Sequence, residues 1–255
     1  MRARESGDIR ILNLGDREEA YSIGSSVVPI RYNSDGTELL PLSEDSIDFL
    51  DAITGSLKNQ ISLSFRLHEL DPILSKVRLA ASEDWLAILD NDSNVRVISL
   101  VDGVERFTRK VHGATTLALS VNGKRLATAA SDSDGNKHSV EIWEVESNES
   151  LGSVDAHSRK ITNLKFSPDG TRLASWSLDS TIGIWDFESD KNWSLKGGKR
   201  GAVGGSFSPD GKTLVSVNSD RTVKLWQLKT GREVASFAIP KQAWNAGFEV
   251  DPDVR

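Results

Sequence analysis

Residues 161–186 read ITNLKFSPDGTRLASWSLDSTIGIWD, and residues 202–227 read AVGGSFSPDGKTLVSVNSDRTVKLWQ. The second stretch repeats the pattern of the first one period later, from position 161 to position 202, and weaker copies precede both. A period of this length is typical of a chain that is built as an array of one small supersecondary unit. The repeat therefore decides the fold.

Each copy reads as a set of short strands. Apolar residues recur through Ile161, Leu164 and Phe166, and the turn sequence SPDG follows at 167–170. Pro suits the second position of a tight turn, and Gly suits the position that needs a positive φ. Further strands are predicted at 172–177, 181–185 and 192–196. No segment has a helical period, so there are no crossover helices and the sheets are predicted to be antiparallel.

The same template fits most of the chain. The column that ends the third strand contains Trp226, Trp185, Trp143, Ile98, Leu50 and Leu12. Five complete units are predicted at approximately 25–64, 73–110, 112–155, 157–197 and 200–238. A partial unit is left at the two ends, in 1–24 and 241–255. Its pieces are strands at 9–14 and 19–23 and a first strand at 244–248. Either the two termini join into a sixth unit, or the sequence is a piece of a longer array.

Composition restricts the class of protein. With 255 residues and 38% hydrophobic content, the chain can bury a substantial core and is expected to form a single domain over 1–255. The chain has no cysteine, which suits a reducing compartment, and neither an export signal nor an apolar run of roughly 18 residues is present. A cytoplasmic protein is expected. The net charge of −6 disfavours nucleic acid and membrane surfaces as partners.

The motif residues resemble the WD40 repeat family. The 161–186 copy and its upstream loop contain His157, Ser175, Asp179 and the pair Trp185-Asp186, which is the family's pattern. Other copies are incomplete: one has Ser216, Asp220 and Trp226 with Gly198 in the His position, and one has His112, Thr128, Asp132 and Trp143. The resemblance implies an all-β fold, a β-propeller of four-stranded antiparallel blades. It would have five complete blades and a sixth formed by the termini, unless the chain is a fragment.

His157, Ser175 and Asp179 also have the residue types of a hydrolase triad. The WD40 resemblance implies a structural network instead. In that network Asp179 holds His157, His157 meets Ser175, and Ser175 accepts the indole N–H of Trp185. We expect the structural network, and therefore no catalytic residue.

Two other patterns imitate ligand sites. Asp90, Asp92 and Asn94, and likewise Asp132, Asp134 and Asn136, have the spacing of a calcium loop, but both loops lack the Gly at position 6 and the Glu at position 12. The glycine-rich segment 197–201 resembles a phosphate-binding loop, but a strand and not a helix is predicted to follow it. We therefore expect neither a metal nor a cofactor.

Charge is sorted by loop. Basic residues precede the predicted first strands, and acidic residues such as Asp179 and Asp220 lie between the second and third strands. Both sets of loops emerge on one face of an antiparallel blade. We expect a basic inner rim that binds an acidic or phosphorylated peptide. Its candidate residues are Arg109, Lys110, Arg159, Lys160, Lys199 and Arg200, with Trp244 near the channel mouth. The alternative is that the basic and acidic residues neutralise each other in surface ion pairs.

These observations favour a non-catalytic scaffold that binds a protein or peptide on a propeller face. One alternative is a sensor or regulatory segment of a larger signalling protein. A less favoured alternative is a propeller enzyme with hydrolytic chemistry in the central channel. The sequence identifies neither the partner nor the oligomeric state.

Overall fold

A computed structural model of the chain describes residues 9–12, 19–23, 28–32, 37–66, 78–82 and 84–241. The regular structure of these residues is a succession of 22 β-strands. The chain divides into two compact units, Met1–Thr108 and Arg109–Arg255. Among the described residues, no helix has the length and apolar character needed to cross a membrane.

The first unit contains one two-stranded sheet and two four-stranded sheets. The last strand of the second four-stranded sheet includes Thr108, the last residue of this unit. The two-stranded sheet pairs β1 (Ile9–Leu12) with β2 (Glu19–Ile23). Sheet I consists of β3 (Val28–Tyr32), β4 (Glu38–Leu42), β5 (Ser46–Asp51) and β6 (Leu57–Ser62). Sheet II consists of β7 (Arg78–Ala81), β8 (Trp85–Leu89), β9 (Asn94–Ser99) and β10 (Glu105–Lys110).

The second unit contains three more four-stranded sheets. Sheet III consists of β11 (Ala114–Leu119), β12 (Arg125–Ser131), β13 (His138–Glu144) and β14 (Glu149–His157). Sheet IV consists of β15 (Ile161–Phe166), β16 (Arg172–Ser177), β17 (Thr181–Asp186) and β18 (Lys191–Lys196). Sheet V consists of β19 (Ala202–Phe207), β20 (Thr213–Asn218), β21 (Thr222–Gln227) and β22 (Arg232–Ala238).

The predicted all-β class, with five four-stranded antiparallel sheets, is confirmed. Strand β14 runs through His157, which pairs with His138, so the last strand of sheet III ends later than the predicted position 155. Strand β1 is described over Ile9–Leu12, and positions 13 and 14 of the predicted strand lie outside the described residues. The predicted strand at 244–248 and Trp244 lie outside the described residues. The sixth blade and the single domain over 1–255 therefore stay predictions.

The SPDG turns have the predicted conformation. Gly170 and Gly211 have φ values of 69° and 66°. The amide of each donates to the carbonyl of the serine that opens its turn, Ser167 or Ser208, at 2.8 Å. The hydroxyl of Ser167 accepts the amide of Arg172 at 2.9 Å. The sequence of the turn therefore fixes the register of β15 against β16.

Consecutive sheets of the second unit pack with their first strands side by side, β11 beside β15 and β15 beside β19. The Thr162 hydroxyl on β15 donates to the carbonyl of Ala202 on β19 at 2.8 Å. Between sheets IV and V, Trp176 and Ile184 are fully buried in a cluster that includes Trp226. The loops that enter β15 and β19 are therefore neighbours at one end of the two sheets.

Candidate functional site

The most extensive polar cluster that the sequence singled out is centred on His157, the last residue of β14. Its Nδ1 lies 3.0 Å from Asp179 Oδ2 and 2.9 Å from Thr181 Oγ1. Its Nε2 lies 2.6 Å from Ser175 Oγ in the middle of β16. Asp179 also accepts the amides of Ser158 at 3.0 Å and Thr181 at 2.8 Å. The cluster therefore joins the end of sheet III to the second strand and a turn of sheet IV.

The charges of the cluster follow from burial and hydrogen bonding. Burial raises the pKa of Asp179, but the hydrogen bonds from Thr181 and Ser158 and the neighbouring His157 together lower it by more, so the carboxyl has a pKa below its usual value. Burial lowers the pKa of His157, and the neighbouring Asp179 only partly opposes this shift. His157 is therefore neutral at pH 7. Its Nδ1–H donates to the carboxylate, and Nε2 accepts the hydroxyl of Ser175.

The order Asp179, His157, Ser175 has the connectivity of a hydrolase triad. Ser175, however, is 0% exposed, and it lies in the interior of a strand. A substrate has no access to its hydroxyl in this structure. The geometry therefore favours a structural network for these three residues.

Trp185 does not join the network as the WD40 resemblance implies. In sheets III and V the indole N–H donates to the second-strand hydroxyl, from Trp143 to Thr128 at 3.1 Å and from Trp226 to Ser216 at 3.0 Å. In sheet IV, no such bond joins Trp185 to Ser175 among the described residues. A Cβ on the intervening Gly183 would lie 2.8 Å from the tip of the Trp185 ring. The missing side chain leaves room for the ring over Gly183, and the Ser175 hydroxyl retains the bond to His157 that the resemblance implies.

The equivalent position differs in the other two sheets of the second unit. In sheet V the amide of Gly198 donates to Asn218 Oδ1 at 2.9 Å, and the amide of Lys199 donates to Asp220 Oδ2 at 2.7 Å. Because these two amides already have acceptors within the fold, the segment 197–201 does not present them to a phosphate. In sheet III the expected His112 is exposed, whereas His138 is buried with its Nδ1 2.8 Å from the Ser131 hydroxyl.

The two calcium-like turns are also satisfied locally. Asp90 accepts the amides of Asp92 at 2.9 Å and Asn94 at 2.8 Å, and it pairs with Arg96 at 2.7 Å. Asp132 accepts the amides of Asn136 at 2.7 Å and Lys137 at 3.1 Å. Within the part of the chain that the structure describes, no group of three or more His, Cys, Asp or Glu residues could hold a metal ion.

The predicted basic rim divides into two parts. Arg159 and Lys160 lie in the loop before β15, and Lys199 and Arg200 lie in the loop before β19; all four are exposed. Arg109 and Lys110 instead end β10, the fourth strand of sheet II. The Arg109 guanidinium lies 4.9 Å from the centre of the Trp143 ring and donates to the carbonyl of Asn148 at 2.8 Å. Arg109 is therefore engaged in packing and does not enter an inner strand.

Sequence reasoning missed several residues that matter in this region. Thr181 and the amide of Ser158 complete the shell around Asp179, and His138 is buried and bonded to Ser131. The lysines of the turns at the other end of sheets IV and V were not recognised as a group. Thr181 lies two residues after Asp179, and this spacing indicates a turn that is stabilised by side chains.

Acid is expected to destabilise the fold through His157. Its pKa in the folded state lies below the ordinary value of 6.5, so just below pH 6.5 the unfolded chain binds a proton that the folded chain does not. The free energy of unfolding should therefore fall as the pH decreases through this interval. The contribution of Asp179 is lost only at lower pH, because its pKa is lowered from 3.8.

The measurement is a series of urea midpoints from pH 7 downward for the wild type and for His157→Gln. Glutamine cannot take up the proton, so the variant should lose less stability over the interval below pH 6.5. The same pH dependence in both proteins would contradict the role given to His157.

Comparison with known proteins agrees with the repeat structure. The family model described as WD domain, G-beta repeat matches residues 148–186 and 193–227. The first match runs from β14 through β17, and the second lies within β18 through β21. Each matched repeat therefore begins at the last strand of one sheet and ends with the third strand of the next.

Three relatives match the chain with partial coverage. The anaphase-promoting complex subunit cdc20 of Dictyostelium discoideum is 24% identical over 132 residues, 52% of this chain and 26% of the relative. The transcriptional corepressor LEUNIG_HOMOLOG of Arabidopsis thaliana is 37% identical over 79 residues, 31% of this chain and 9% of the relative. The guanine nucleotide-binding protein subunit beta-5b of Danio rerio is 27% identical over 75 residues, 29% of this chain and 18% of the relative. The match thus spans about a quarter of cdc20 and less of the other two. Residues 148–186 and 193–227 therefore carry repeats of the WD40 family.

Proposed function

We propose that this chain is a non-catalytic scaffold that binds an acidic or phosphorylated peptide of a partner protein. Two of its relatives are named as subunits of larger assemblies, the anaphase-promoting complex and a guanine nucleotide-binding protein. The proposal of a non-catalytic role is supported by the complete burial of Ser175, whose hydroxyl lies beside His157. Binding would then use exposed groups.

The observation that carries the proposal is a pair of equivalent basic loops. We define the basic surface as Arg159, Lys160, Lys199 and Arg200. Positions 159 and 200 are one repeat apart, and their loops enter the adjacent strands β15 and β19. Guanidinium groups recognise carboxylate and phosphate through paired N–H donors. Two arginines on neighbouring rigid loops therefore suit a ligand with more than one negative charge.

The acidic residues nearby are engaged by the backbone. Asp179 accepts the amide of Ser158 at 3.0 Å, and Asp220 accepts the amide of Lys199 at 2.7 Å. The side chains of Lys160, Lys199 and Arg200 form no ion pair with any described residue, and Arg159 has a long contact of 3.5 Å to the carbonyl of Leu178. The alternative of mutual neutralisation by direct ion pairs is thus disfavoured. The carboxylates hold the loops in place and leave the cationic groups available.

The test is fluorescence anisotropy with a labelled peptide that carries one phosphoserine flanked by glutamates. The double variant Arg159→Glu/Arg200→Glu should bind at least about tenfold more weakly than the wild type, because two cationic contacts become repulsive. The matched control is Lys124→Glu/Arg232→Glu, which changes the net charge equally at two residues at the other end of the strands. Equal weakening in both variants, or none in the first, would contradict the proposed surface.

A further inference from the structure

A second candidate site lies at the opposite end of sheets IV and V. A cavity of about 740 Å³ opens between the turns of the two sheets. Arg172 begins β16, and Lys191 begins β18, whereas the loops of the basic surface precede β15 and β19. Because neighbouring strands are antiparallel, the cavity and the basic surface are at opposite ends of the same strands. The cavity is therefore separate from the proposed peptide surface.

The charge around the cavity is predominantly positive. Its lining includes Arg172, Lys191, Lys212 and Lys229, and Asp186 is the single carboxylate among its described lining residues. Asp186 is already engaged, because it pairs with Arg172 Nε at 2.8 Å and accepts the amide of Ser189 at 3.0 Å. Three ammonium groups thus remain without a carboxylate from the lining.

These ammonium groups are weakly held by the rest of the protein. Lys212 lies 3.7 Å from Asp210, but both side chains are more than half exposed, at 81% and 57%, and such a pair contributes little. Lys191 and Lys229 form no ion pair with a described residue. Like charges that line one cavity repel each other, and an anion bound among them would offset this repulsion. The lining therefore favours a ligand that carries multiple negative charges.

One wall of the cavity is aromatic. Trp193 of β18 lines it and packs against the apolar cluster between sheets IV and V. The indole N–H of Trp193 is buried and has no hydrogen-bond partner among the described residues. Because this nitrogen is buried, a ligand in the cavity would meet the apolar ring of Trp193 and not its N–H. An aromatic wall beside lysines suits a flat apolar group that is joined to an anion.

We infer that this cavity binds a phosphate monoester that carries a planar aromatic group. The phosphate would pair with Lys191, Lys212 and Lys229, and the aromatic group would lie against Trp193. Such a ligand is either a small molecule, of which a nucleoside monophosphate is an example, or a phosphotyrosine side chain of another protein. Both present the same chemistry to the cavity.

The test is isothermal titration calorimetry of the whole chain with phenyl phosphate, inorganic phosphate and phenol. Phenyl phosphate should bind more tightly than either fragment. Lys191→Gln/Lys229→Gln should weaken its binding by at least about tenfold, since two charge-assisted contacts are lost. Trp193→Leu should reduce the affinity for phenyl phosphate to that for inorganic phosphate. AMP and a phosphotyrosine tripeptide are then compared, and the tighter of the two identifies the source of the ligand.

The control is Lys199→Gln/Arg200→Gln on the basic surface, which should leave the binding of phenyl phosphate unchanged. A check of thermal unfolding verifies that each variant is folded. The inference is overturned if phenyl phosphate shows no saturable binding at millimolar concentration, or if the lysine variant binds it as the wild type does. Either result leaves the peptide surface untouched, because that surface is tested with different residues and a different ligand.

Discussion

Replacing Gly205 with alanine should lower the free energy of unfolding of the second unit by about 3 kcal/mol or more. A Cβ at this position of β19 would lie 1.9 Å from the carbonyl oxygen of Val215 and 2.9 Å from Cζ2 of Trp176. The first contact is with backbone in the neighbouring strand, and Trp176 is fully buried between sheets IV and V. Neither group can move without disturbing a sheet, so this substitution has the largest expected effect.

The neighbouring Gly204 is the matched control. A Cβ there would lie 2.9 Å from Nδ2 of Asn163, the end of a side chain that can rotate away. Gly204→Ala should therefore change the stability by only about 1 kcal/mol or less. Urea unfolding followed by circular dichroism compares the two variants. Similar midpoints for Gly204→Ala and Gly205→Ala would show that β19 does not pack closely on Trp176.

His157→Ala has the second largest expected effect. The substitution leaves the Ser175 hydroxyl fully buried without its partner at 2.6 Å, and it removes one of the donors to the carboxylate of Asp179. Leaving buried polar groups unpaired costs about 1–3 kcal/mol for each group. Asp179 retains its bonds to Ser158 and Thr181, which limits the damage. We expect a total loss of about 2–4 kcal/mol.

His112→Ala serves as the control, because His112 is exposed and has no hydrogen bond or ion pair with a described residue. Its effect should be within about 0.5 kcal/mol. Both variants are compared with the wild type by urea unfolding at pH 7. If the two alanine variants have the same stability, the His157 cluster does not hold sheets III and IV together.

Much of the fold could be predicted from the sequence because the repeat carries local signals. The SPDG turn fixes two strand ends at once, and the structure has β16 at the predicted positions 172–177. The end of β14 was harder to place. It depends on pairing with His138 on β13, and no local turn signal marks position 155 as the end of the strand.

The candidate site was less accessible to sequence reasoning because it depends on contacts across the fold. Trp185 fails to reach Ser175 because Gly183 has no side chain, which matters only once the strand is folded. In sheet III the buried histidine His138 bonds to Ser131 on the neighbouring strand, a contact across the sheet that no motif within one strand reveals. The cavity near Trp193 combines turns that are one repeat apart, and no motif within one repeat reveals it.

A charge exchange tests most directly whether Arg159 and Arg200 recognise negative charge on a partner peptide. Two labelled peptides of equal length, one rich in glutamate with a phosphoserine and one rich in lysine, are titrated with the wild type and with Arg159→Glu/Arg200→Glu. The wild type should prefer the acidic peptide, and the variant should prefer the basic one. The same order of affinity in both proteins would contradict recognition through these two arginines.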